Sequence, residues 1–219
     1  MKNGQRKHPL LIGIPYCIAI YGLIVLTMVY RTSDNTATVL MILFILFVFV
    51  LILQMRNISS AKKEEDVDYC LNTYFIYKYI TMPVGLVCAG IVGFFIAAII
   101  VTLIQGLEEP LIIIVLFFLV VFIIAIIPYV LIVFTVIELP CFTSIAFILG
   151  LTQKKYGMTS VERRIHFLLQ IIPVLDIIDG LYISIKYWNR GRRLAIVSAV
   201  FTFSEIALVL WIYLADMFK

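Results

Sequence analysis

Three carboxylates stand deep in apolar sequence: Asp176, Asp179 and Glu205. An ionised side chain in hydrocarbon is costly enough to need a proton, a counter-charge or a bound cation. At 100° per residue, Asp176 and Asp179 share a helix face with Gln170, Pro173, Gly180 and Ser184. Folding the last two apolar runs into a hairpin that turns near Arg190 puts Asp176 14 residues before the turn and Glu205 15 after it. With a rise of about 1.5 Å per residue, both reach the same depth near the bilayer middle. Ser198 and Thr202 extend the stripe on the Glu205 side. No Lys or Arg falls within any predicted span, so the chemistry on offer is proton or cation binding by Asp176, Asp179 and Glu205. The same acids, protonated, would equally serve as hydrogen-bond links between helices, or face water from a surface helix.

Helices must position these residues. The 219-residue chain is 63% hydrophobic with a mean hydropathy of +1.12. Several runs exceed the roughly 20 apolar residues that cross a hydrocarbon core. These runs are continuous and lack the period-2 alternation of a β-barrel. The expected fold is all-α, a polytopic transmembrane helical bundle forming one integral-membrane domain over 1–219. Spans are predicted at 10–30, 38–55, 84–105, 111–137 and 194–215, with a sixth at 167–185. The first run ends in Tyr30-Arg31 and is too long for a cleaved secretory signal.

Between the second and third spans, 56–78 is the longest polar stretch, with Ser59 or Ser60 as a possible helix cap. Its aromatics (Tyr69, Tyr74, Phe75, Tyr77 and Tyr79) have the composition of an interfacial belt. Gly85, Ala89, Gly93 and Ala97 recur every fourth residue and form a helix-packing face, within the chain or between copies. The fourth span is long enough to require tilting, or a kink at Pro128. Glu138-Leu-Pro-Cys then breaks the pattern, and 142–151 is too short to cross, as expected of an interfacial or re-entrant piece. Gly157 ends that segment. Thr159 and Glu162 make a T-x-x-E capping box, which starts a helix near Ser160.

Charge sets the orientation. The N-terminal tail, 56–78 and 154–164 together hold eleven Lys and Arg residues, while the two links on the other side hold only Arg31. The N-terminus is therefore expected on the cytoplasmic side of a cell membrane. If 167–185 does not cross, the count becomes fifteen inside and two outside; if it crosses, twelve and five. Insertion energy points the same way, since its twelve Leu, Ile, Val and Phe residues contribute about −4 to −7 kcal/mol, which two central Asp residues nearly cancel. Against this, the polar stripe carries no Lys or Arg, unlike a helix lying on anionic headgroups. A bundle interior suits such a stripe better, and on that ground the segment is assigned as the sixth span.

No soluble-enzyme signature is present: there is no H-E-x-x-H, G-x-S-x-G or Walker A pattern. Cys17, Cys70, Cys88 and Cys141 form no C-x-x-C pair, so neither a zinc site nor a disulfide framework is implied, and no metal or other cofactor is expected. His166, beside Arg163 and Arg164, reads as a solvated interfacial histidine. The net charge of +4 is explained by the span ends without any nucleic-acid partner.

The run Asp176-Ile-Ile-Asp179-Gly180 resembles the D-x-x-D-G opening of the CDP-alcohol phosphotransferases, whose clustered Asp residues bind metal and a nucleotide-linked diphosphate. Here Ile183-Ser184 replaces that family's Ala-Arg, and its later Gly and two further Asp residues have no counterpart. Without them, its metal site cannot be assembled. The order Leu-Pro-Cys (139–141), Ile-His-Phe (165–167), Val-Leu-Asp (174–176) and Tyr-Ile-x-x-Lys (182–186) resembles small, uncharacterised bacterial multi-pass membrane proteins. That resemblance implies a helical bundle and assigns no site residue. The expected role is a non-catalytic membrane subunit or accessory protein whose partners are the lipid bilayer and a membrane protein or second copy. The alternative is a small proton- or cation-coupled carrier.

Overall fold

The computed structural model describes residues 8–29, 34–104 and 110–190, with scattered positions from 196 to 211. Among them, every regular element is helical: α1 (Pro9–Val29), α2 (Asp34–Lys63), α3 (Val67–Ile104), α4 (Pro110–Ile137), α5 (Leu139–Tyr156), α6 (Ser160–Leu169) and α7 (Leu175–Trp188). Three described stretches are long and apolar enough to cross a membrane: Pro9–Thr27, Thr36–Lys63 and Val67–Thr102. The count becomes four if the end of α4 and α5 are taken as one bent span.

Contacts divide the chain into two compact units, Met1–Ile80 with Pro140–Lys219, and Thr81–Leu139. The first holds α1, α2, the opening of α3, and α5 to α7. Tyr16 of α1 is fully buried, with its ring 5.4 Å from Phe47 of α2 and 4.9 Å from Tyr77 of α3. Gly22 lets the α1–α2 pair close up, since a Cβ there would meet Leu43 at 3.0 Å. The second unit holds the remainder of α3 and α4. In it the Thr81 hydroxyl donates to Glu138 Oε1 at 2.5 Å, and both residues are buried.

The predicted spans at 10–30 and 111–137 match α1 and α4. The other two boundaries shift. α2 continues through Ser59 and Ser60 to Lys63, so neither serine caps a helix. The cap of α3 is Asp66, whose carboxylate accepts from the Tyr69 N–H at 3.0 Å, satisfying one of the orphan donors of a helix start. α3 therefore begins well before Pro83. The polar stretch is mostly helix, and its aromatics are core residues: Tyr74, Phe75 and Tyr77 are fully buried. They do not form a belt.

The segment 167–185 is not one helix. α6 tightens at its end, where Gln170, Ile171 and Ile172 each donate to the carbonyl three residues back. Pro173 has no N–H to continue the ladder, and it biases Ile172 away from helical geometry. Val174 then takes φ 75 and ψ −50, a positive-φ conformation close to a γ-turn that costs a β-branched residue energy. The single helix face expected across 170–184 therefore breaks at these residues. The T-x-x-E box is present as predicted, with the Glu162 N–H donating to Thr159 Oγ1 and the Thr159 N–H to Glu162. Those hydrogen bonds to Thr159 hold the Glu162 carboxyl below its ordinary pKa. Gly157, at φ 71, supplies the left-handed residue that closes α5.

Since α6 has no buried residue to anchor it, its cap matters more than usual. Thr159→Ala is expected to cost about 1 kcal/mol of local helix stability. Faster amide exchange at residues 161–164, with the core unchanged, is the readout.

Candidate functional site

The two acids of α7 point into the first unit, where neither is solitary. Lys78 of α3 sits with its ammonium 2.6 Å from Asp176 Oδ2, and the side chains are 2% and 3% exposed. Asp176 Oδ1 also accepts from the Ile177 N–H at 2.6 Å. Lys78 lies one helical turn beyond Tyr74 on α3, so the two reach the same region. The Tyr74 hydroxyl has two acceptors in range, Gln170 Oε1 at 2.6 Å and the Asp176 carbonyl at 2.7 Å. Its single proton serves one or is shared. Gln170 Nε2 then donates to Asp179 Oδ2 at 2.7 Å. Asp179 Oδ1 lies 2.5 Å from His166 Nδ1, and the imidazole stacks on Tyr182 at 5.7 Å. One connected network thus runs from Lys78 to His166.

Close packing holds the middle of this network. Gly180 passes directly under Tyr74: a Cβ there would lie 2.4 Å from Tyr74 Cε1 and 2.8 Å from its hydroxyl. Only glycine allows that approach. The Lys78 ammonium also lies 5.8 Å from the centre of the Phe142 ring, within cation–π range.

The ends of the α6–α7 segment return to one place. At the start of α6, Gln153 Nε2 of α5 donates to Ser160 Oγ at 3.0 Å, and Arg163 donates to Gln153 Oε1 at 3.1 Å. At the end of α7, Trp188 Nε1 donates to Thr152 Oγ1 at 3.0 Å and its ring meets Tyr156 edge-on at 5.3 Å. Arg190 pairs with Asp68 at the start of α3. Asn189, left-handed at φ 48, closes α7. α6, the break and α7 therefore form a helical hairpin with both ends against the last turns of α5. The pairings of His166 with Asp179 and of Gln170 with the Tyr74–Asp176 pair are its rungs.

This placement corrects three expectations. Both acids have internal partners: Asp176 pairs with Lys78, which falls inside the extended α3, and Asp179 is bonded to His166 and Gln170. His166 is partly buried and bonded to Asp179; it is not a solvated histidine. Glu138 is a further buried carboxylate that the sequence reading passed over as a pattern break. Glu205, with Ser198 and Thr202, lies outside the described residues, as does most of the predicted span 194–215. Along the predicted packing face, Gly85 is buried while Ala89, Gly93 and Ala97 are exposed, and a Cβ at Gly93 would meet nothing within 4 Å.

Among the described residues, no three His, Cys, Asp or Glu side chains converge as a metal-ligand set. Asp176 and Asp179, the acids of the D-x-x-D-G likeness, are held by different partners. No family model, curated protein or solved structure matches this chain.

Proposed function

We propose that this chain is an integral membrane protein with a non-catalytic, accessory role, in which the Lys78–His166 network clamps the α6–α7 hairpin onto α3. The observation that carries this reading is the state of the buried acids. Asp176 and Asp179 are both engaged inside the chain, so neither offers an open carboxylate to a passing ion. Membrane embedding is supported by an inverted surface: Phe44, Phe49, Ile52, Phe94 and Ile124 face outward, while Gln54, Thr73, Lys78, Gln170 and Asp176 are buried. Water would favour the reverse arrangement, whereas lipid favours this one.

In this reading the hairpin does not cross. Its two ends share one side with the end of α5, and its exposed residues Val161, Ile165, Leu168, Ile172, Leu175 and Ile178 are apolar. The tip dips into the bilayer from the cytoplasmic face and returns. All the basic residues of 154–164 and 186–193 then lie inside, the distribution that the charge rule favours.

A proton- or cation-coupled carrier is the second reading, favoured by the His166–Asp179 contact at the partly open edge of the network. Reconstitution into sealed vesicles separates the two. The accessory role predicts no proton or cation flux from the parent, and recovery of a stoichiometric membrane-protein partner after mild cross-linking in native membranes. Flux from the parent that disappears in the Asp179→Asn, Glu205→Gln variant, which leaves the Lys78–Asp176 pair in place, would establish the carrier instead.

A further inference from the structure

The α5–α6 groove lies apart from the buried network. It is a cavity of about 610 Å³ whose lining includes Gln153, Ser160, Arg163 and Arg164 on the polar side and Phe167 and Leu168 on the apolar side. Gln153 joins Arg163 to Ser160, which fixes one edge of that guanidinium and leaves its other N–H groups and the Ser160 hydroxyl proton available. Arg164 makes no hydrogen bond or ion pair with any described residue and is exposed. No carboxylate lines the cavity, because the capping box turns Glu162 toward Thr159. The polar end thus carries two permanent positive charges, one of them held in place by Gln153, a set suited to phosphate oxygens.

The other end is apolar. Phe167 and Leu168 lie one turn further along α6, toward the hairpin tip, and both are exposed. A ligand that satisfies both ends is an anionic amphiphile. We propose that this groove binds the phosphate headgroup of an anionic phospholipid, with the acyl chains running past Phe167 and Leu168 toward the hairpin tip. The inference rests on the membrane reading of the hairpin. A zwitterionic lipid fits less well, because the lining holds no acid to receive its ammonium group.

Native mass spectrometry of the detergent-purified chain, with phosphatidylglycerol or phosphatidylcholine added, tests the proposal. Retention of phosphatidylglycerol is expected to exceed that of phosphatidylcholine by about tenfold or more, the effect of losing roughly one charge-assisted pair. Arg164→Gln, which breaks no existing bond, should remove most of that preference, and Arg163→Gln with Arg164→Gln all of it. Arg190→Gln, a cation outside the groove, should leave it intact. Equal retention of the two lipids, or an unchanged preference in the double variant, would overturn the site. Displacement of the lipid by millimolar inorganic phosphate would overturn the lipid assignment in favour of a free anion. Release of the chain from membranes by alkaline carbonate would remove the membrane reading and this inference together. Firm retention in membranes with no lipid preference removes this inference alone.

Discussion

Replacing Lys78 by Met is expected to destabilise the protein by about 3–5 kcal/mol, the cost of removing one partner of a buried ion pair. The two side chains are almost wholly buried, so solvent cannot screen or rescue Asp176. Asp176→Asn should also be destabilising, because it removes the carboxylate 2.6 Å from the Lys78 ammonium while keeping an acceptor for the Ile177 N–H. The double variant Lys78→Met with Asp176→Asn should recover most of the loss. Removing both charges abolishes the desolvation cost together with the attraction, and the pair by itself adds little net stability. Denaturant or thermal unfolding in detergent measures all three. A Lys78→Met protein as stable as the parent would mean that Asp176 is neutral, or satisfied elsewhere.

Gly180→Ala should be markedly damaging for a single added methyl. Helix propensity alone would make Ala better here by about 1 kcal/mol. Sterics reverse the sign, since the new methyl would overlap Tyr74, which is fully buried and hydrogen-bonded to the hairpin. A loss of about 1–3 kcal/mol is expected, together with release of Tyr74 from Gln170 and Asp176. Gly93→Ala is the internal control: the added methyl meets nothing within 4 Å, so no loss is expected, and helix propensity favours Ala there by up to about 1 kcal/mol. Comparable losses at the two glycines would contradict the close approach of α7 to Tyr74.

Residue pattern made some of this legible. The apolar runs give α1 and α4 nearly to the residue, because a helix satisfies its own backbone wherever lipid or core surrounds it. The Thr159–Glu162 box and Gly157 mark their boundaries because each does a local job visible in sequence. The shared face of Asp176, Asp179, Gly180 and Ser184 is also legible, since all four lie on α7 and are buried, whereas Gln170 reaches Asp179 only across the break. What hides is the partner: Lys78 stands among Tyr74, Phe75, Tyr77 and Tyr79, where a hydrophilic residue looks like the edge of a polar stretch. Nothing local reveals that α3 starts at Val67 and carries Lys78 into the core. His166 was equally opaque, since its bond to Asp179 depends on the chain reversing at Pro173 and Val174, and a wheel drawn through those residues assumes that it does not. Serine at 59 and 60 misled for the opposite reason: a capping residue type has no effect where the helix simply continues.

The reversal of the α6–α7 hairpin is the claim on which the rest depends, and its topology can be measured directly. In a background lacking Cys17, Cys70, Cys88 and Cys141, single cysteines are placed at Lys154, in the exposed last turn of α5, and at Arg190, just beyond α7. A membrane-impermeant maleimide is then applied to intact spheroplasts and to inverted vesicles. The hairpin predicts that both positions react from the same side, the cytoplasmic one. Labelling of Lys154→Cys and Arg190→Cys from opposite sides would mean that the segment crosses the bilayer, and would contradict the hairpin.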